Sequence, residues 1–313
     1  MSRILLVTTG GTIAAGAGGG AGWAQGAALM SGVTTRAQEV DVLDLFSRPS
    51  SQIGPEQMLE ISRAVAARTG AGEYGGCIVT HGTDTMEETG VWLDIFHETD
   101  MPLVLTGAMR SSREPAPDGA ANLAAAVATC RSSAARGRGV LVVMNEQIHT
   151  ARLVTKTHSK DAAAFKSPDM GPVGTAYQGR ARFVVPAPAQ RLVLSRPESI
   201  AVAVALVRAV AGDDGKLVDA AVAAGCAGVV IEGMGVGNLP REMVKAVRRA
   251  CDRGVTVALT SRCGAGPVAG SALLPEVDVL LAGAGLNGPK ARIALLAGLA
   301  AGACRQTQAA LLA

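Results

Sequence analysis

An α/β fold in two parts is the class this sequence predicts: a larger N-terminal domain with a mainly parallel sheet flanked by helices, then a smaller α/β C-terminal domain. Three observations carry that expectation. Short apolar runs alternate with longer helix-like segments along the chain. The runs are almost continuously apolar, as suits parallel strands buried on both faces. The length of 313 residues, at roughly 100–200 residues per domain, makes two domains the first expectation.

Taken in order, strands are expected at 3–8, 77–80, 102–106, 139–144, 201–207, 227–231, 254–260 and 277–281. Helices are expected near 55–69, 86–97, 119–135, 215–224, 239–252 and 288–303. Residues 184–199 hold Pro186, Pro188 and Pro197 without clear periodicity, which reads as a linker. Residues 1–184 then form the larger domain, 185–199 the linker and 200–313 the smaller domain. In open α/β sheets, ligands bind at the carboxyl ends of the strands. Gly-rich turns follow several of the expected strands, so those turns are the places to look for chemistry.

Composition removes several classes. Hydrophobic residues are 49% and charged residues 18%, unlike a disordered, charge-solvated chain. The 39 glycines follow no G-X-Y period, which excludes collagen. Aromatic residues are only 3%, a poor endowment for stacking on nucleic-acid bases. The net charge of +3 is dispersed, so no polybasic arm points to nucleic acid or anionic lipid. The uncharged stretch after Arg3 opens with only Ile4-Leu5-Leu6-Val7 before polar and glycine residues, so it reads as a buried strand and loop rather than a signal or membrane segment. A cytoplasmic protein with no membrane partner is expected. The six cysteines include no C-x-x-C, which fits reduced, mostly buried thiols better than a zinc site or a disulfide framework.

Three segments carry the candidate chemistry. Thr9-Gly10-Gly11-Thr12-Ile13-Ala14 follows the first strand. Its glycines let the backbone turn sharply and approach a ligand, and Thr12 can present a hydroxyl at the sheet edge. No G-K-[ST] follows, which argues against a phosphate loop. Cys77 to Glu88 runs from a strand through His81-Gly82-Thr83-Asp84 into a helix. Asp84 with Glu87 fits a capping box, and free N–H groups there favour a carboxylate or developing oxyanion. His81 reads as a satisfied strand-end histidine rather than a base. Val154-Thr155-Lys156-Thr157 is the third segment. Lys156 is either a surface charge or a desolvated amine able to help deprotonate a threonine hydroxyl.

Together these segments resemble the bacterial-type L-asparaginase (asparaginase/glutaminase) family. The matches are Thr9–Ala14, Thr80–Thr89, Gly107-Ala108-Met109-Arg110, Asp118-Gly119 with Asn122-Leu123, and Gly139–Asn145. They continue through Val154–Thr157, Phe165-Lys166-Ser167, Gly171-Pro172, Gly237-Asn238-Leu239 and Leu286-Asn287 with Lys290-Ala291-Arg292. The correspondence runs in order over almost the whole chain. It implies hydrolysis of the side-chain amide of asparagine to aspartate and ammonia, with no metal and no cofactor, and leaves L-glutamine open as a second substrate.

The same resemblance assigns roles. Thr12 looks like the nucleophile that forms an acyl-enzyme. Thr83 matches the second threonine, paired with Lys156 and Asp84, and Asp84 also matches the group that holds the substrate ammonium. Ser50 matches the serine that binds the substrate carboxylate, with Ser51 as the fallback one residue on. Backbone groups at Gly82 and Ala108 complete the pocket, and Asn238 matches an asparagine lent by a neighbouring subunit. Family members are homotetramers built from tight dimers.

Two departures stand out. The family keeps a tyrosine in a lid after the first threonine. Here the lid is 16–26, with six glycines, and the aligned residue is Trp23. An indole donates a hydrogen bond but cannot relay a proton as a phenol does. An acidic residue that some members supply from the smaller domain aligns with Ala272, and Glu276 is only a remote substitute. These departures keep two alternatives open: a weakly active or inactive asparaginase-fold protein that binds aspartate or asparagine, and a hydrolase of another small amide.

Overall fold

The computed structural model describes residues 3–14, 26–30, 33, 39–270, 277–283 and 285–313. The chain divides into two compact units, Met1–Val193 and Leu194–Ala313. The division falls inside the proline-bearing stretch. Arg191 lies on the first unit's side because its guanidinium donates to the carbonyls of Asp94 and His97, both at 3.1 Å.

In the first unit, β1 (Arg3–Gly10), β2 (Val40–Arg48), β3 (Tyr74–Thr80), β4 (Leu103–Thr106) and β5 (Val140–Met144) are joined by parallel pairings in the order β2-β1-β3-β4-β5. An antiparallel extension continues from β5 through β6 (Gln147–Thr150), β9 (Gly174–Tyr177) and β10 (Arg180–Phe183). The β5–β6 turn is Asn145-Glu146, both at positive φ (48° and 61°), the signature of a two-residue type I′ hairpin. A separate antiparallel pair joins β7 (Thr155–Lys156) to β8 (Phe165–Lys166).

The helices of this unit are α1 (Gly26–Met30), α2 (Pro55–Thr69), α3 (Met86–Phe96) and α4 (Gly119–Arg131). Helix α2 starts where the sequence says it should: Pro55 occupies the first turn and the Gln57 side chain accepts from the Gly54 N–H at 3.0 Å. Alternate strand residues face opposite layers. Ile4, Leu6, Ile78, Val104 and Leu141 join one core with Leu123, Ala126 and Val127 of α4. Burying such side chains is worth about 1.5–3 kcal/mol each.

The second unit is a four-stranded parallel sheet, β11 (Val204–Arg208), β12 (Gly228–Gly233), β13 (Thr256–Ser261) and β14 (Leu280–Leu281), in sequence order. Helices α5 (Lys216–Ala223) and α6 (Arg241–Asp252) bury Val218, Met243 and Val247 against Val229 and Ile231. Gly228 faces the other way, toward Leu295 and Leu299 of α7 (Gly288–Ala300). Asn287 caps α7 by accepting from the Lys290 N–H at 3.1 Å. The chain ends in α8 (Arg305–Leu312).

Several boundaries differ from expectation. The expected helix 119–135 ends at Arg131, and a short 3₁₀ turn, Ser133–Ala135, follows. The expected strand 277–281 is reduced to Leu280–Leu281. The thiols are all unpaired, yet only Cys77 and Cys130 are buried, while Cys263 and Cys304 are exposed. Burial pushes the Cys77 and Cys130 thiols up, away from ionisation. Among the described residues no helix is long and apolar enough to cross a membrane.

Candidate active site

In the order β2-β1-β3-β4-β5, the chain leaves β1 toward one side and β3 toward the other. The carboxyl ends of β1 and β3 therefore flank the topological switch point, where open parallel sheets bind ligands. The first two candidate segments leave from those ends. Thr12 lies just after β1, and Thr83 just after β3.

The two loops are locked together by backbone. Gly11 has φ 82°, and a Cβ there would stand 2.4 Å from Gly82 Cα and 2.5 Å from Gly82 N. Only glycine suits both the positive φ and that approach. Thr9 Oγ1 donates to the Thr80 carbonyl at 2.8 Å, tying the same loops one step nearer the sheet. Gly82 is itself covered by Ser50, whose Oγ would be 2.6 Å from an added Cβ. Ser50 is buried in a 3₁₀ turn, Ser50–Gln52. Its Oγ accepts from the Asp84 N–H at 3.1 Å, and its carbonyl accepts from Thr85 Oγ1 at 2.8 Å. Ser51, the fallback, is exposed.

Thr83 is buried, at 6% exposure. Lys156 Nζ donates to Thr83 Oγ1 at 2.8 Å and to Asp84 Oδ1 at 2.8 Å. The lysine side chain is 16% exposed and the aspartate 66%. Lys156 is thus not a surface charge: its ammonium is held between a buried hydroxyl and an open carboxylate. Because the amine donates to Thr83 Oγ1, the threonine's own hydrogen is free for another acceptor. Thr12 is half-buried.

The expected capping box is absent. Helix α3 begins at Met86 with Thr85 at the N-cap and no side-chain cap. Asp84 is engaged by Lys156 instead, and the Glu87 carboxylate accepts from Thr155 Oγ1 and, at 3.3 Å, from the Lys156 N–H. His81 is fully buried. Its Nδ1 lies 2.7 Å from the Gly82 carbonyl and its Nε2 3.0 Å from Thr89 Oγ1. A carbonyl only accepts, so Nδ1 carries the proton and Nε2 accepts from the threonine. Burial pushes this histidine down to about 4, and it is the neutral, satisfied residue its sequence position suggests.

Ala108 is buried on the loop after β4. The neighbouring motif residues explain why that loop holds its shape. Asp118 accepts from the Met109 and Arg110 N–H groups at 3.1 and 2.9 Å. Asn122 donates to the Gly107 carbonyl at 3.0 Å, and its Oδ1 accepts from the Asn145 N–H at 2.8 Å. A cavity of ≈ 350 Å³ lies alongside, lined by Ile13, Leu29, Ala108, Arg110, Gly119 and Leu123 among others.

The structure thus brings Ser50, Gly82, Thr83, Asp84 and Lys156 into one constellation, with the Thr12 loop packed on Gly82. Asn238 belongs to the other unit, exposed in a turn closed by mutual backbone hydrogen bonds with Met234 (2.7 and 2.9 Å). Trp23, Ala272 and Glu276 lie outside the described residues, as does most of the lid 16–26. Among the described residues no group of three or more His, Cys, Asp or Glu could hold a metal ion. Glu87 was hidden from sequence reading by its place in an apparent cap, and only the return of 155–156 onto α3 reveals its partners.

Comparison with known proteins agrees with this layout. Residues 3–188 match the family described as Asparaginase, N-terminal, and residues 203–312 the Glutaminase/Asparaginase C-terminal domain. The chain is 34% identical to an L-asparaginase of Bacillus licheniformis, over 85% of this chain and 84% of the relative. It is 32% identical to a glutaminase-asparaginase of Pseudomonas fluorescens biotype A, over 85% and 77% respectively. Among solved structures it is similar to a probable cytoplasmic L-asparaginase from Campylobacter jejuni, with a TM-score of 0.90 and 29% identity, covering 100% of this chain and 99% of that one.

Proposed function

We propose that this chain, which belongs to the asparaginase family, hydrolyses the side-chain amide of L-asparagine to L-aspartate and ammonia, with L-glutamine as a candidate second substrate. One observation carries the assignment: Lys156 Nζ bridges Thr83 Oγ1 and Asp84 Oδ1, each at 2.8 Å, in a loop packed against the loop of Thr12. Two threonines thereby flank the switch point of the sheet, one with a lysine amine bonded to its hydroxyl.

Thr12 is the proposed nucleophile. Its Oγ attacks the amide carbon, its proton passes to the departing nitrogen, and ammonia leaves behind an ester on Thr12. Water then adds to the ester, the Thr12 oxygen recovers a proton, and aspartate is released. Thr83, Lys156 and Asp84 form the proton-handling group beside it. Asp84, whose side chain is 66% exposed, takes the substrate ammonium. Ser50 takes the α-carboxylate through its hydroxyl hydrogen, since its oxygen already accepts from Asp84 N. Its burial against Gly82 supports Ser50 over Ser51. Backbone groups of Gly82 and Ala108 complete the contacts.

The rest of the assignment belongs to the same proposal. The catalytic threonines lie in the domain 1–184, followed by the linker 185–199 and the domain 200–313. The active form is a homotetramer or homodimer in which Asn238 serves a neighbouring subunit's site, and the protein works in asparagine breakdown. A cytoplasmic location is supported by the likeness to a probable cytoplasmic L-asparaginase. Ammonia release by the purified protein, offered L-asparagine, L-glutamine and other small amides in parallel, tests the activity. Release from another amide alone would overturn it. Light scattering tests the assembly, and a monomer at full activity would remove Asn238 from the site.

A further inference from the structure

Lys156 sits on a strand of only two residues, Thr155–Lys156, outside the eight-stranded sheet. Something must hold so short an element at the distance its amine needs. On one side it pairs with β8, and the Thr157 N–H continues that ladder to the Ala164 carbonyl at 2.8 Å. Successive N–H groups of a strand point to opposite edges. The Lys156 N–H therefore points away from β8, toward α3, where it would need another acceptor.

Glu87 supplies that acceptor. Its Oε2 accepts both from the Lys156 N–H, at 3.3 Å, and from the Thr155 hydroxyl. The residue is 9% exposed, and a carboxylate so placed is tolerated because donors are brought to it. One helical turn further along α3, a Cβ on Gly90 would stand 3.0 Å from Ala151 Cβ. Residues i and i+3 share a helix face, so this face of α3 receives the segment at both Ala151 and Thr155–Lys156.

We infer that Glu87 is a positioning residue for the reaction: it fixes the backbone of Thr155 and Lys156 against α3 so that Nζ meets Thr83 Oγ1. The inference rests on the reading of Lys156 as part of the catalytic group. Thr83 and Glu87 leave the same short stretch of chain, so the hydroxyl and the brace for its amine partner are fixed by one element. Without the brace, the lysine keeps its charge and its stem but loses its register. A displacement near 1 Å at a catalytic group costs about 10²-fold in rate.

The test compares wild type, Glu87→Ala, Glu87→Gln and Thr155→Val for kcat and KM with L-asparagine, alongside thermal unfolding. The expected result for Glu87→Ala is a kcat lower by about 10–100-fold, with KM changed less than about threefold because substrate contacts are untouched. A glutamine oxygen can take the place of Oε2 and accept the same donors, so Glu87→Gln should recover most of the loss. Thr155→Val should fall between them. If Glu87→Ala fails to fold, the same kcat-against-KM reading is made on Thr155→Val, with Glu87→Gln as the conservative control. A wild-type kcat in folded Glu87→Ala or Thr155→Val overturns the inference, and so does a loss that tracks only the folded fraction. A wild-type protein that releases no ammonia overturns the functional reading itself, and this inference with it.

Discussion

The loops after β1 and β3 each bring a threonine to the switch point of the sheet, but they are built by different means. The Thr83 loop is a side-chain network: Lys156 on the hydroxyl, Ser50 on the Asp84 N–H, His81 bonded at both nitrogens, and Glu87 bracing the lysine's strand. The Thr12 loop is shaped by backbone: Gly10 and Gly11 at φ 96° and 82°, the Gly11 N–H donating to the Arg48 carbonyl at 3.1 Å, and the Ala14 N–H to the Gly11 carbonyl at 3.0 Å. The contrast fits a division of labour. A hydroxyl proposed to handle protons would need fixed polar partners, whereas a nucleophile would need access to the substrate and a defined position.

The largest effects should come from the hydroxyls themselves. Thr12→Ala and Thr83→Val should each lower the rate by about 10²-fold or more. Lys156→Met should behave like Thr83→Val, and the double variant should be no worse than either single one, because they act as one unit. Additive losses would break the unit apart.

Acid should lower the stability of the fold, in part through the Thr83 loop. His81 is held neutral in the fold, at about 4 against an ordinary 6.5. The unfolded chain therefore takes up a proton that the folded chain refuses between those values. Stability is complete above about pH 6.5 and falls as pH drops toward about 4. At about 1.4 kcal/mol per pH unit, this histidine alone accounts for a loss on the order of 3 kcal/mol by about pH 4. Buried His149, also pushed down to about 4, adds to the same window. Denaturant titrations from pH 7 to 4 should show the decline, and His81→Gln should flatten part of it. An unchanged slope in that variant would remove His81 from the account.

Gly11→Ala tests the backbone half. Its φ and its approach to Gly82 both oppose a side chain, so about 1–3 kcal/mol of stability should be lost, with kcat falling more than KM rises. The smallest predicted differences separate the serines. Ser50→Ala should raise KM by about tenfold, the worth of a hydrogen bond to a charged group, while Ser51→Ala should leave KM unchanged. The reverse result would shift the carboxylate contact by one residue.

The two kinds of loop were also unequally legible in the sequence. Strands such as 77–80 and 139–144 are nearly pure apolar runs, and burial on both faces forces that composition. The edge strand Val40–Arg48 does not read as a strand in the sequence because it is only half covered and interleaves Asp41, Asp44 and Ser47 with its apolar residues. Strands β6 to β10 are two to four residues long, too short for periodicity to register. Thr12 and Thr83 could be found because each follows a readable strand through glycine. Glu87 could not be assigned, since a Glu three residues after an Asp at a helix start has a local explanation, and its real partners lie 68 and 69 residues away. Asp118 and Asn122 were visible as motif residues, but their work on the 107–110 loop emerges only with the fold.

The β1 and β3 loops are proposed to form a single hydrolytic site. Its most direct test is steady-state ammonia release from L-asparagine by the full chain, with wild type, Thr12→Ala and Thr83→Val measured side by side at confirmed folding. Wild type should release ammonia, and each variant should lose about 10²-fold or more in rate. A folded wild type that releases none, or a Thr83→Val protein that turns over at the wild-type rate, would contradict this.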